Sequence, residues 1–229
     1  MKLANTLIFL LLLTSLFSQR VTQELEDFTA LDVATGVEVL LRKGAPKADI
    51  HVKKGDLDDL IVEVRGSELR IKFKNKRGWS WSQGSRHATI ELYCGDLEKI
   101  EASSGASVDA DFTIKTKNFI ADASSGSNIS VSVECTSMEA DISSGAAVEV
   151  DGAATDLEVD GSSGAVFNGV RLKAEDVDVD VSSGASVKVW ATKKLKADAS
   201  SGGVVKFKGN PKQTNIDSGK WSGGSVVKI

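Results

Sequence analysis

The tripeptide Ser-Ser-Gly recurs along this chain at a near-constant interval, and no other feature restricts the possible fold so strongly. The copies are Ser103-Ser104-Gly105, Ser124-Ser125-Gly126, Ser143-Ser144-Gly145, Ser162-Ser163-Gly164, Ser182-Ser183-Gly184 and Ser200-Ser201-Gly202. Their first serines lie 21, 19, 19, 20 and 18 residues apart. A unit that returns about every 20 residues is the mark of a solenoid. Weaker copies, Ala34-Thr35-Gly36 and Asp217-Ser218-Gly219, bracket the set.

The flanks repeat too. Two residues before each first serine stand Glu101, Asp122, Asp141, Asp160, Asp180 and Asp198, and Asp32 holds the same place in the early copy. After the glycine, apolar and polar residues alternate, as in Val108-Asp109-Ala110-Asp111-Phe112 and Val148-Glu149-Val150-Asp151. Alternation of period two predicts strands with one buried face. Each unit therefore reads as strand, tight corner, strand. A single rung cannot bury its own inner face, so rungs must stack. Glycine at every corner fits a backbone position of positive φ, and small serines can stack there, with hydroxyls able to bond to local backbone. The expected fold is all-β, a parallel β-helix-like solenoid of rungs of about 20 residues.

At 229 residues the chain is long enough for one large domain. Residues 1–19 read as a secretory signal peptide: Lys2, then an apolar run from Leu7 to Phe17, then the small Ser18. The run is short for a membrane span, no later segment qualifies as one, and no cysteine follows it to carry a lipid anchor. The expectation is an exported protein, periplasmic or at the cell surface. A net charge of −4 disfavours a general nucleic-acid role. Export favours a disulfide between Cys94 and Cys135, but the repeat opposes it. The two stand at nearly the same phase two rungs apart, roughly 9–10 Å, beyond disulfide reach. Both read as core-type thiols.

Residues 20–229 form a single solenoid domain in this reading. Phe28, Leu31, Val33, Val37, Val39 and Leu41 mark an opening rung, and the period is then lost until about residue 92. Residues 42–92 read as an inserted basic β cap, a small meander over the N-terminal end, with strands at 49–52, 60–64, 69–73 and 88–92. Such a cap hides the unpaired edges of an end rung. Regular rungs fill residues 93–229, and Trp221 with Val226, Val227 and Ile229 is expected to close the far end.

Taken together, these features resemble a known family. They are the signal peptide, Ala34-Thr35-Gly36-Val37, the basic insertion, Leu97-Glu98-Lys99-Ile100-Glu101 and the serial Ser-Gly-Ala units. The pattern is similar to the auto-transporter adhesin head GIN domain of exported bacterial proteins, over nearly the whole mature chain. The resemblance implies a right-handed β-helix-like fold and an adhesin-like role. It carries over no catalytic or binding residue.

Three constellations bear on chemistry. In-register stacking would align the carboxylates before the corners, with a second column at Lys99, Ile120, Glu139, Glu158, Asp178 and Lys196. Glu139, Asp141, Glu158, Asp160, Asp178 and Asp180 then share one outward face. Calcium is the cation such a face would attract, but no compact calcium loop is present. The bland alternative is a solvated face that blocks edge aggregation. No metal and no cofactor is assigned. The second constellation is the loop Gly78-Trp79-Ser80-Trp81 beside Arg77 and Arg86, where two indoles and two cations suit an acidic glycan. The competing reading folds both tryptophans onto the cap as cover. The third is negative. With histidine only at 51 and 87, and no nucleophile motif or zinc spacing, catalysis has little support. The leading expectation is a non-enzymatic module that binds a glycan or another cell-envelope component. A structural envelope protein without a dedicated ligand is the alternative, and a β-helical polysaccharide-active enzyme comes third.

Overall fold

The structure is a computed structural model and describes residues 19–74, 86–219 and 223–229. The signal-peptide reading up to residue 18, Arg77, Trp79, Trp81 and Trp221 lie outside the described residues, while Gln19, the last residue of that reading, opens β1 and pairs with Val52. The first part of the chain contributes β1 (Gln19–Glu24), β2 (Ala30–Val33), β3 (Val37–Lys43), β4 (Lys47–Lys54), β5 (Leu60–Arg65), β6 (Glu68–Phe73) and β7 (His87–Cys94). The repeats contribute β8 (Lys99–Ala102), β9 (Ser107–Lys115), β10 (Asn118–Ala123), β11 (Asn128–Ile142), β12 (Ala147–Gly161), β13 (Val166–Val181) and β14 (Ser186–Ala199). The chain ends through β15 (Val204–Lys208), β16 (Gln213–Asp217) and β17 (Ser225–Lys228).

The stack is parallel wherever the repeat runs, and its register follows the sequence repeat. On one side of the corners Glu101 pairs with Asp122, Asp122 with Asp141, Asp141 with Asp160, Asp160 with Asp180, and Asp180 with Asp198. The long strands β11 to β14 serve two sides of the coil. In β11, Asn128–Ser130 lies on β9, while Ser137–Ile142 lies on β10. The alternation dictates which face is buried. Met138, Leu157, Val177 and Leu195 form one inner column, each almost free of solvent. Full burial of such a side chain contributes about 1.5–3 kcal/mol. Phe112 in its alternating run departs from this expectation, and so do Val227 and Ile229 at the far end, 46% and 59% exposed because among the described residues no strand lies beyond β17. Phe112 is half-buried with the Lys43 ammonium 5.1 Å from its ring centroid, and Ile216 on the last rung is 44% exposed.

The insertion does more than cover the end. β6 stacks parallel on β2, and β7 stacks parallel on β3, so the two supply a further rung. β2 and β3 in turn lie on β8 and β9. The chain thus lays down the second rung first, goes out to the end, builds the terminal rung and returns. The meander character sits outside that rung, where β5 runs antiparallel to β6, β4 to β7, and β1 to β4. This order separates the cysteines further than the sequence spacing implies, because β3 and β9 both stand between β7 and β11. Both thiols are free. Burial pushes Cys94 up to about 12 and Cys135 up to about 11, which keeps both as unreactive thiols.

Candidate functional site

Each corner is a four-residue turn closed by its own hydrogen bond. The N–H of Ala106 donates to Ser103 O at 3.1 Å, and Ala146, Ala165 and Ala185 repeat the bond. Both central residues have positive φ, for example Ser144 at 53° and Gly145 at 71°, as in a type I′ turn. The glycine N–H then donates to the middle serine's carbonyl on the next rung, as from Gly145 to Ser163 at 3.1 Å. Corner backbone is therefore satisfied by corner backbone. Serine hydroxyls need make no bond here, and among the described residues Ser127 is the corner-flanking serine whose hydroxyl bonds to corner backbone. Ser127, standing where most corners have alanine, is the buried polar side chain of the described residues. Its hydroxyl donates to Ala102 O at 2.8 Å and accepts from the Ser124 N–H.

Beside the corners runs a groove of about 570 Å³. Its walls are the carboxylates of Asp32, Glu101, Asp122, Asp141 and Asp160 and the first serines of the corners. The charge is offset at both ends of the acidic face. Lys99 bridges Glu101 and Asp122, the latter at 2.9 Å. Lys194 pairs with Asp176 at 2.7 Å, and Lys196 with Asp178 at 2.9 Å. Between them Asp160 has carboxylates above and below. Partial burial, then Asp141 and Asp180, raise its pKa above the usual range. Near the N-terminal end Asp32, Glu68 and Glu101 bring oxygens within 4.8 Å of one another. Arg70 binds Glu68 at 2.6 Å, and Arg70 and Lys72 each stand 3.9 Å from Asp32. Protein cations thus supply the countercharge a metal would bring. Partial burial outweighs them and raises Asp32.

Between β6 and β7 the sequence has no Ser-Ser-Gly tripeptide. β6 and β7 lie on β2 and β3, and where Ala34-Thr35-Gly36 joins β2 to β3, the sequence between β6 and β7 runs from Lys74 to Arg86. Its base is closely tied. Thr35 Oγ1 accepts from the Phe73 N–H at 2.9 Å, and the Lys74 N–H donates to Asp59 O at 2.7 Å. Arg86 Nη1 donates to Lys74 O at 2.5 Å, and its guanidinium stands 5.6 Å from the Phe73 ring centroid. Of the four residues singled out for binding, Arg86 is thus described, and it closes the neck of the connection. Nothing in the spacing of the sequence signals that bond, because it joins residues 12 apart across the connection.

These features accompany a direct sequence match. A model of the family described as "Putative auto-transporter adhesin, head GIN domain" matches residues 27–211. The chain belongs to this family. Among curated proteins none matches it. Solved structures share the fold of this head GIN domain. A "putative adhesin" from Bacteroides fragilis has a TM-score of 0.81 at 16% identity, covering 94% of this chain and 98% of its own. One from Parabacteroides merdae has a TM-score of 0.72 at 16% identity, covering 92% and 95%. One from Parabacteroides distasonis has a TM-score of 0.69 at 16% identity, covering 92% and 96%. At this identity the likeness establishes the β-solenoid alone. Membership in the head GIN family implies an exported or surface location. No helix among the described residues is long and apolar enough to cross a membrane.

Proposed function

We propose that this head GIN domain is a non-enzymatic adhesin-like module that binds an acidic glycan or another anionic polymer of the cell envelope. Its contacts gather on the 74–86 connection, with Trp79, Trp81, Arg77 and Arg86 as the binding residues. One observation carries the reading. The terminal rung replaces a three-residue corner by a longer basic, tryptophan-bearing connection, whose base is anchored to Thr35, Asp59 and Lys74. Recognition tends to sit on loops held by a rigid scaffold. The tight corners elsewhere offer glycine and serine, and no rung among them differs enough to select a ligand.

Each indole stacked on a sugar ring contributes about 0.5–1.5 kcal/mol, so the affinity is weak and salt-sensitive. A Trp79→Ala, Trp81→Ala double variant is to be compared with the wild type for melting temperature and for retention on an immobilised anionic polysaccharide. Retention lost with an unchanged melting temperature is the expected result. A falling melting temperature would make the tryptophans cover for the cap. A wild type that elutes without delay at every salt concentration would sink acidic-glycan binding.

A further inference from the structure

The net charge of −4 conceals a sorting of charge along the solenoid. Residues 19–97 carry 13 acidic and 13 basic side chains, and residues 98–180 carry 17 acidic against 5 basic. Residues 181–229 carry 9 lysines and two acids, Asp198 and Asp217. Lys193, Lys194 and Lys196 are used in pairs with Glu175, Asp176 and Asp178. The other described lysines are not neutralised in this way. Lys188 faces Lys206 across β14 and β15, and neither has an acidic partner among the described residues. Lys208 lies over the Trp190 ring at 4.0 Å, and the Lys228 ammonium meets the neutral Asn210 amide oxygen at 2.6 Å. Lys212 is exposed.

Lysines on a sheet edge commonly guard against aggregation. That account does not cover Lys188 and Lys206, because β15 and β17 lie beyond them in the sheet. Stacked like charges there cost stability. The same end exposes large aliphatic side chains: Val227 at 46%, Ile229 at 59% and Ile216 at 44%. Val227 continues the column of Lys188 and Lys206. Lysines mixed with exposed aliphatic groups match an anionic bilayer surface, where phosphates meet the cations and the headgroup layer takes the aliphatics. A soluble polyanion would leave the aliphatics in water. A second copy placed end to end by a two-fold axis would set lysines against lysines.

We propose that the C-terminal end of the solenoid, through Lys188, Lys206, Lys212, Val227 and Ile229, docks on an anionic membrane surface. The terminal rung formed by β6 and β7 lies at the opposite end of the stack, so docking leaves it free. The proposal does not depend on the glycan reading.

The test is co-sedimentation of the full chain with vesicles of phosphatidylcholine alone and of phosphatidylcholine with phosphatidylglycerol. Sedimentation with the anionic vesicles only, fading between about 0.05 and about 0.3 M salt, is expected. A Lys188→Glu, Lys206→Glu, Lys212→Glu variant should lose about a hundredfold or more in partitioning. The milder glutamine triple variant should lose less, and it guards against a folding defect in the first. Val227→Ser with Ile229→Ser should also weaken binding, and Trp79→Ala with Trp81→Ala should not. Absence of binding to anionic vesicles at low salt overturns the proposal, as does binding that survives the triple reversal. Retention on a soluble polyanion without vesicle binding overturns it in favour of a polymer. Self-association abolished by the triple reversal overturns it in favour of a second copy.

Discussion

A corner glycine and a strand glycine of this chain differ in what surrounds them. Gly145 has φ 71° and open space where a Cβ would stand. Gly152 in β12 has φ 115°, and a Cβ there would sit 2.0 Å from the carbonyl oxygen of Val133. Gly145→Val should therefore cost about 1–3 kcal/mol, the strain of an unfavourable backbone region. Gly152→Ala should cost more, because the neighbouring rung's backbone has to move. Urea melts of both variants check this order, and an unchanged midpoint for Gly145→Val contradicts the turn. The need for glycine at the corners was legible, since only a special backbone position explains glycine at so regular an interval. The positive φ of the middle serine was not. Serine rarely adopts that region unaided, and the turn hydrogen bond together with the inter-rung bond hold it there.

Strands decide what the aspartate column does. Asp160 in β12 stands between Asp141 and Asp180, and its pKa is raised by partial burial and by those two carboxylates. A raised folded value means the folded state holds the proton more tightly than the unfolded chain. The ionised column therefore weakens the fold at neutral pH, and the cost is relieved as pH falls through the folded pKa. Asp160→Asn should raise stability by about 0.2–1 kcal/mol at neutral pH and low salt. The gain should vanish below about pH 3.9, where the carboxyl is protonated in both states. Thermal melts across pH measure this, and a destabilised Asn variant at neutral pH would mean the carboxylate has a partner. The column and its register were legible because period-two alternation and a fixed corner leave one way to stack. The parallel place of β6 and β7 was not, because the connection between them has no Ser-Ser-Gly corner to mark its phase. Alternation alone, as in Leu69-Arg70-Ile71-Lys72-Phe73, suits a parallel or an antiparallel neighbour equally.

At the scale of the whole molecule, the repeated rungs are interchangeable spacers and the ends differ. One end carries the terminal rung with the 74–86 connection, and the other carries the unneutralised lysines. Rungs that contact only their neighbours make stability nearly additive along the stack. One rung can then be removed in phase. Asp141 pairs with Asp160, so deletion of residues 142–160 joins Asp141 to Gly161 and brings the next corner into the vacated place. The most direct measurement is retention of this deletion variant on anionic polysaccharide beside its thermal unfolding curve. The account predicts a cooperative, somewhat lowered transition with retention equal to that of the full chain. A variant that folds cooperatively and is no longer retained would contradict it, because binding would then reside in the rungs.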